Sequence, residues 1–271
     1  MAAKTHNARP IMMESEFQSQ VDIIVPFHGQ YHLVTKLLDS IFRLTRSNYY
    51  QLILVDDCSP NPVFLQNLNQ NLQKNADRSG QNNILKTIRT ESQLGYAGAC
   101  RIGYNEGESP YVCFLNSDCK IQTNSWLRNM GESLLKLKSQ DVRVISPTTN
   151  NPVGGDPAQF GSKIYNGDDD VIISDNSFLT LPCFMCHREL FFKIGGFLKE
   201  YEFGGYEDEE FAHRLKSYGF KQAVCKSSYV DHIGGVTMTE VMRRDPNGAG
   251  LAMDRNRQQC IKDMKLLSKK V

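Results

Sequence analysis

The sequence predicts an α/β protein built on a parallel, doubly wound sheet. Short apolar runs rich in β-branched residues alternate with segments whose apolar residues recur at helical spacing. Polar or acidic residues directly follow three of the apolar runs. Alternation of this kind is typical of parallel sheets covered by helices, and ligands bind at the carboxyl ends of such strands.

The first half of the chain supplies the clearest alternation. Buried strands are predicted at residues 21–27, 51–55, 84–88 and 111–115. Helices are predicted at residues 30–44, around Leu65, Leu68 and Leu72, and at residues 96–106, with a loop at 75–83. The second and fourth strands end in acids, which places candidate ligands at one edge of the sheet.

The second half is less regular. A helix at 126–137 and a strand at 142–146 precede residues 147–170, which are rich in Pro, Gly, Asn and Asp. A connection of that length is expected to be functional or mobile. Further elements are predicted as a strand at 178–186, helices at 188–194 and 207–218, strands at 221–225 and 229–230, and a basic helix at 251–270.

Composition narrows the class of protein. The 271 residues carry a net charge of +1, which disfavours a nucleic-acid binder that depends on bulk electrostatics. Most of the eight cysteines lie in apolar runs, without the dense spacing of a disulfide scaffold, so reduced thiols and a cytoplasmic location are expected. Neither a signal peptide nor an apolar run of membrane-spanning length is seen, so we expect a soluble protein.

Three strand ends are predicted to share one edge of the sheet, and they carry Pro26-Phe27-His28, Asp56-Asp57 and Asn116-Ser117-Asp118. Asp118 follows the strand at 111–115, and its carboxylate could hold Mg²⁺ or Mn²⁺ against a diphosphate. Asp56 and Asp57 follow the second strand and could accept hydrogen bonds from a uracil edge or a ribose hydroxyl. The alternative for Asp118 is a role in a helix cap or a turn.

Three further positions are open to two interpretations each. Gly95 begins a run of small residues that suits close approach to a ligand or simple helix packing. Asp208 lies among acids that favour a helix amino terminus, but the glycine pair before them also suits a loop that presents a general base. His232 is either a structural residue or a metal ligand.

Six motifs, taken together and in order, resemble the family 2 glycosyltransferases of the GT-A fold. They read DIIVPFHG, LILVDDCSP, LGYAGA, FLNSD, GGYEDEEFAHRL and DHIGG. The resemblance covers roughly residues 21–235. It implies a single GT-A domain at 21–240 with a mixed, mostly parallel central sheet flanked by helices. Residues 21–146 would form the nucleotide-binding half and 147–240 the acceptor-binding half. Residues 1–20 would be an extension, and 241–271 a basic lid and helical tail.

The resemblance also assigns roles to residues. Asn116, Ser117 and Asp118 match the DxD-type triplet, with Asp118 as a metal ligand and His232 adding a second contact to Mn²⁺ or Mg²⁺. The nucleoside would be held by Pro26, Phe27 and either Asp56 or Asp57, and Asp208 would be the catalytic base. From the residues themselves, Arg243 and Arg244 follow the glycine pair at 234–235 and could reach a diphosphate if that segment closes as a lid.

The leading hypothesis is an inverting, metal-dependent glycosyltransferase that uses a nucleotide-diphosphate sugar, with UDP favoured. The acceptor would be a hydroxyl of a glycan, a lipid-linked molecule, a protein or another compound, and a nucleic-acid acceptor is not indicated. One alternative is a nucleotidyltransferase that makes the activated sugar. That activity would need a Gly-rich loop with Lys or Arg after the first strand to bind a triphosphate. His28-Gly29-Gln30 is not such a loop. A second alternative is a catalytically silent carbohydrate- or nucleotide-binding module.

Overall fold

The computed structural model describes residues 17–45, 49–68, 70, 85–152, 154–201, 204–236, 239, 242–243 and 245–267. The strands are β1 (Val21–Phe27), β2 (Tyr50–Asp56), β3 (Leu85–Arg89), β4 (Tyr111–Leu115), β5 (Cys119–Ile121), β6 (Val142–Thr149), β7 (Val171–Ile172), β8 (Cys183–His187) and β9 (Lys221–His232). The α-helices are α1 (Tyr31–Leu44), α2 (Gly95–Glu106), α3 (Trp126–Leu137), α4 (Arg188–Lys193), α5 (Glu207–Ser217) and α6 (Pro246–Leu267). Short 3₁₀ turns lie at Lys138–Gln140 and Pro157–Gln159.

All these strands join one mixed sheet in the order β3-β2-β1-β4-β8-β6-β9-β5, and β7 pairs with β9. The first four strands in that order are parallel. The antiparallel pairings involve β5, β7 and β8, whereas β6 and β9 pair in parallel. The mixed central sheet and the single domain are therefore confirmed, while the fully parallel sheet expected from strand and helix alternation is wrong for β5, β7 and β8.

Helices cover both faces of the sheet because the strands are apolar on both sides. Along β1, Val21, Ile23 and Val25 pack in the cluster that includes α1 and α3. Ile24 points the other way, into the cluster that includes α2, α4 and α5. This alternation follows from the two-residue period of a strand. It fixes the register of β1 and therefore places Pro26 and Phe27 at the carboxyl end of that strand.

The predicted strand at 178–186 is shorter than expected. Residues 178–182 are not strand, and β8 begins at Cys183. Pro182 lacks the N–H that a ladder needs. The preceding backbone N–H groups bond to side chains instead: Leu179 to Gln222, Thr180 to Gln159, and Leu181 to Asp208. This segment is therefore held by polar side chains that the strand prediction did not consider.

Two other sheet predictions need correction. The two short strands expected at 221–225 and 229–230 form one strand, β9, which continues to His232. The register of its pairing with β6 shifts after Pro147: Pro147 pairs with Cys225, but Thr148 pairs with Tyr229. Residues 226–228 therefore have no register partner in β6 and form a bulge or irregularity. The sequence analysis also missed β5, whose three residues follow the Asn116–Asp118 triplet and pair with the end of β9.

The irregular segment at 147–170 is anchored at its centre. Its first three residues continue β6, and the fully buried Gln159 lies in the 3₁₀ turn that follows. The Gln159 amide donates to Ser146 Oγ and to the Thr180 carbonyl, both at 2.8 Å. Because a buried amide is costly unless bonded, these contacts fix the loop against the sheet.

The C-terminal helix α6 packs against α5. It buries Ala252, Asn256 and Cys260, which lie on one face at intervals of four residues. The helix begins at Pro246, five residues before the predicted start at 251, because proline suits the first turn of a helix. The predicted residues 268–270, the loop at 75–83 and Leu72 lie outside the described residues. Among the described helices, none has the length and apolarity to cross a membrane.

A glycine comparison tests the packing of α2 on the sheet. A Cβ at Gly103 would lie 2.5 Å from Ile24 Cγ2, whereas one at Gly250 in α6 would meet nothing within 4 Å. Overpacking costs about 1–3 kcal/mol, while alanine in a helix gains up to about 1 kcal/mol over glycine. In urea unfolding, we expect Gly103→Ala to lower the midpoint and Gly250→Ala to keep or raise it. Equal midpoints for the two variants would contradict tight packing at Gly103.

Candidate active site

A cleft of about 410 Å³ opens at the carboxyl edge of β1, β2 and β4. Parallel strands bring their carboxyl ends to one edge, so residues far apart in sequence meet there. The predicted site residues on its wall are Pro26, Phe27, Asp57, Gly95, Asn116, Ser117, Asp118, Asp208 and His232. The cleft therefore brings together nine of the twelve residues singled out from the sequence.

Asp57 joins the end of β2 to the start of α2. Its carboxylate accepts hydrogen bonds from the N–H groups of Leu94 at 2.7 Å and Gly95 at 2.8 Å. Burial raises the pKa of Asp57, and these two backbone bonds oppose that rise. Gly95 has a φ of +74°, a conformation that a side chain would strain. Glycine therefore suits the start of α2 for two reasons: the backbone there has a positive φ, and the residue lines the cleft.

Asp56 has a different environment from its neighbour. Its side chain is fully buried, pairs with Arg89, and accepts a hydrogen bond from the Ser59 N–H at 2.8 Å. It does not belong to the cleft wall described above, whereas Asp57 does. Of the two acids offered as nucleoside ligands, Asp57 is the one that the cleft exposes to a ligand.

Asp118 and His232 meet because β5 pairs antiparallel with β9. Cys119 is the register partner of His232, and the Ile233 N–H donates to the Asp118 carbonyl at 3.2 Å. His232 Nε2 consequently lies 3.4 Å from Asp118 Oδ1, while Gly234 N–H donates to Asp118 Oδ2 at 3.1 Å. A carboxylate and an imidazole thus converge at one point of the cleft.

The neighbours of His232 hold its ring in an orientation that suits metal binding. Its Nδ1 lies 3.5 Å from the Asn151 carbonyl, so Nε2 is the nitrogen directed towards Asp118. The Asn150 carboxamide bonds to both backbone groups of His232, accepting at 2.7 Å and donating at 3.2 Å. This donor set of one carboxylate and one imidazole fits Mn²⁺ better than Mg²⁺, which prefers oxygen ligands alone.

Cys119 lies close enough to form a group of three potential ligands with this pair. Its thiol is buried and donates towards the Pro182 carbonyl. Burial raises the pKa of Cys119 well above its usual range, and the Asp118 charge raises it further. Only the thiolate binds metal well, so Cys119 would join Asp118 and His232 only if a bound cation deprotonated it.

Asn116 and Ser117 complete the wall next to Asp118. The Asn116 N–H donates to the Pro182 carbonyl at 2.7 Å, which fixes the start of the triplet. Its side-chain Oδ1 is buried and makes no hydrogen bond among the described residues. An unsatisfied buried acceptor on a cleft wall is suited to a donor group from a ligand, such as a hydroxyl.

Asp208 lines the cleft from the first turn of α5. Its Oδ2 accepts the Leu181 N–H at 2.9 Å, which fixes the carboxyl group. Burial raises the pKa of Asp208 well above its usual range, and the adjacent Glu207 carboxyl raises it further. Burial also raises the pKa of Glu207, whose Oε2 makes no hydrogen bond among the described residues. Both carboxyls therefore combine proton affinity with access to the cleft.

Of the two arginines proposed for a lid, Arg243 is exposed and is absent from the described wall of the cleft. Arg244 lies outside the described residues. From the same segment, Gly235 and Val236 do line the cleft. The distance between the arginines and a bound diphosphate stays a prediction.

Sequence reasoning missed several residues of this site. Asn150 and Asn151 position His232, yet their segment was predicted only to be functional or mobile, with neither residue singled out. Leu181 supplies the N–H that holds Asp208, and Met253 of α6 contributes to the wall. The many polar residues at 147–170 could have indicated that asparagines of this segment bond to the site. No sequence pattern pointed to Met253.

With this geometry established, family comparisons identify the chain. The family model described as "Glycosyl transferase family 2" matches residues 22–195. The chain belongs to this family. In this family 2 chain, a second model, described as "N-terminal domain of galactosyltransferase", matches residues 176–242. That match contains Asp208 and His232, so the two models together cover every predicted site residue on the cleft. No curated protein sequence matches the chain.

Solved structures confirm the GT-A fold. GalNAc-T7 with UDP, GalNAc and Mn²⁺ superposes with a TM-score of 0.63 at 16% identity, over 79% of this chain and 44% of that one. S. aureus TarS 1-349 gives 0.56 at 19% identity, over 83% and 64%. The mannosyltransferase PcManGT from Pyrobaculum calidifontis, with GDP-Man and Mn²⁺, gives 0.61 at 14%, over 85% and 62%. This chain thus spans less than two thirds of each of these proteins.

The closeness of Asp118 and His232 predicts that a mutation of Asp118 removes metal-dependent nucleotide binding. We expect Asp118→Asn to abolish the Mn²⁺ dependence of UDP binding, because the amide removes the charge that would neutralise the metal while keeping nearly the same shape. Isothermal titration of UDP with and without Mn²⁺ measures this directly. Asp169→Asn is the matched control, since the Asp169 side chain is 96% exposed. Unchanged Mn²⁺-dependent affinity in Asp118→Asn would show that Asp118 is not a ligand.

Proposed function

We propose that this glycosyltransferase moves a sugar, with inversion at the anomeric carbon, from a nucleotide-diphosphate sugar to an acceptor hydroxyl. UDP-sugars are the favoured donors. The observation that supports the proposal is a single cleft lined by Asp118 and His232, which lie 3.4 Å apart, and by Asp208. An inverting transfer needs the attacking hydroxyl and the leaving diphosphate on opposite sides of the reacting carbon, so we propose that Asp208 and the Asp118–His232 pair face the sugar from opposite sides.

The donor would lie along the edge formed by β1, β2 and β4. Pro26 and Phe27 would form the apolar side of the nucleoside pocket, and Asp57 would accept a hydrogen bond from the base. Gly95 allows the ligand to approach the start of α2 closely. The unsatisfied Oδ1 of Asn116 would accept a ribose hydroxyl, with Ser117 beside it.

Asp118 and His232 would hold Mn²⁺ in this arrangement. The ion supplies electrostatic stabilisation of the departing diphosphate when it is bound. The residues contribute a fixed carboxylate and an imidazole whose tautomer is set by the Asn151 carbonyl. Arg243 and Arg244 would add positive charge near the diphosphate if their segment folds over the donor.

Asp208 would act as the general base. A base must be ionised to take a proton, and it works best when its pKa lies near the working pH. The raised pKa of Asp208 moves it in that direction from the usual range of an aspartate. The Leu181 N–H fixes one carboxylate oxygen, which orients the group towards the hydroxyl it would activate.

The acceptor would enter from the side formed by the second half of the chain. We assign residues 21–146 to donor binding and 147–240 to acceptor binding, with α6 contributing Met253 to the second group. The wall there combines the apolar Leu181, Val236 and Met253 with the carboxyl groups of Glu207 and Asp208. A hydroxyl-bearing acceptor with an apolar face, as in a sugar, matches that combination.

Replacing the base separates chemistry from binding. We expect Asp208→Asn to leave the Mn²⁺-dependent affinity for UDP within a few fold and to reduce turnover by roughly 10²–10⁴-fold. Hydrolysis of UDP-GlcNAc or GDP-mannose, with water as acceptor, provides the assay. Glu209→Gln, which alters the next acid on the same helical turn, is the matched control. Equal losses of UDP binding and turnover would make Asp208 a binding or structural residue instead.

The pH profile gives an independent test. Turnover requires ionised Asp208, so it should fall as the pH decreases through the pKa of that group. Because burial raises this pKa, the fall should occur above the ordinary aspartate value of about 3.9. The carboxyls of Glu207 and Asp208 interact, so the acid limb reports the pair. In Asp208→Asn, assayed at saturating Mn²⁺, the limb should shift or disappear from the residual rate, and an unchanged limb there would contradict the assignment.

A further inference from the structure

The C-terminal helix reaches the site through a buried asparagine. Asn256 is 0% exposed, and its Nδ2 donates to the carbonyls of Gly204 at 3.2 Å and Gly205 at 3.3 Å. Both family matches end before this helix, at residues 195 and 242. The contact therefore comes from a part of the chain that neither match covers.

Gly204 and Gly205 form the turn that leads into α5, the helix that carries Asp208. Their φ angles are +134° and +98°, which side chains rarely adopt. Gly205 precedes Asp208 by only three residues, so the conformation of the turn determines where the Asp208 carboxyl lies. Because glycine has wide backbone freedom, something other than the turn itself must select this conformation.

The Asn256 amide is placed to make that selection. One side-chain nitrogen bonds two consecutive carbonyls, which ties the orientation of two peptide groups to a single rigid helix. A buried carbonyl left without a partner is costly, so alternative turn conformations that break these bonds are disfavoured. The helix is itself held at a second point, where the Tyr201 hydroxyl donates to Asp263 Oδ2 at 3.2 Å.

We propose that Asn256 is a positioning residue for Asp208, which it places by fixing the Gly204–Gly205 turn. It acts without touching the donor or the acceptor. The inference rests on the proposed role of Asp208 as general base. In this proposal, the C-terminal helix α6 contributes to activity because its Asn256 positions the general base.

The first test replaces the amide by a group that cannot donate. Asn256→Asp keeps the shape but directs carboxylate oxygens at two carbonyls, and Asn256→Ala removes the contact without adding charge. We expect either change to reduce hydrolysis of UDP-GlcNAc or GDP-mannose by about 10- to 100-fold, since small misplacements of a catalytic group have effects of that size. Mn²⁺-dependent UDP affinity should stay within about two-fold. Arg257→Ala, an exposed neighbour on α6, is the control and should resemble the wild type.

A double-mutant comparison distinguishes positioning from general support of the fold. In an Asp208→Asn background, Asn256→Asp should reduce the residual rate by no more than about two-fold, because the group it positions is already disabled. A further loss as large as in the wild-type background would overturn the proposal. So would loss of UDP binding together with turnover in both Asn256 variants, because the asparagine would then support the whole fold.

Hydrogen exchange provides a readout that needs no turnover. We expect Asn256→Asp to accelerate exchange in peptides covering residues 204–210 and to leave those covering β1 and β2 unchanged. If the proposed transfer reaction is wrong, wild-type turnover will be absent while this local effect persists. Unchanged exchange at 204–210 would show that Asn256 does not fix the Gly204–Gly205 turn. That outcome would overturn the proposal even if the transfer reaction is correct.

Discussion

The antiparallel pairing of β5 with the end of β9 is the contact on which the site depends. It sets Cys119 opposite His232 and thereby brings an imidazole to Asp118, which lies 114 positions earlier in the chain. Neither residue is held by its own loop alone. Asp118 also receives the Gly234 N–H, and Asn150 bonds both backbone groups of His232. Asp118 and His232 are therefore held by the sheet itself, which would suit their proposed role as metal ligands.

Burial, and not strand pairing, sets the properties of the other two carboxyl groups on the cleft, Glu207 and Asp208. Burial raises the pKa values of Glu207 and Asp208 together, since two neighbouring carboxyls in a poorly solvated site disfavour ionisation. The Asp118 carboxylate has different neighbours: it accepts the Gly234 N–H at 3.1 Å, and His232 Nε2 lies 3.4 Å away. One cleft thus holds carboxyl groups in two different environments, and the proposed roles of metal ligand and general base follow that difference.

Much of the fold and most of the site could be predicted from local patterns. Strands β1, β2 and β4 and helices α1 to α3 follow from hydrophobic periodicity, and the acids after β2 and β4 follow from the rule for strand ends. The remainder depends on long-range contacts that leave no local signal. The three residues of β5 are too few to show periodicity, Pro182 ends an apolar run that reads as strand, and Asn256 is an ordinary polar residue until it meets two carbonyls. Asp56 and Asp57 are adjacent and chemically identical, so only the structure separates the buried partner of Arg89 from the acid on the cleft.

The central claim is that the metal-binding pair and the base act from different sides of the same sugar. Its most direct test is the anomeric configuration of the first sugar released. UDP-GlcNAc and GDP-mannose both carry an α-linked sugar, so ¹H NMR can follow hydrolysis of whichever donor the enzyme accepts, at times short compared with mutarotation. The account predicts the β-anomer as the initial product, formed by attack of a water molecule that Asp208 deprotonates. Initial release of the α-anomer would mean retention of configuration and would contradict the arrangement of base and leaving group derived from this cleft.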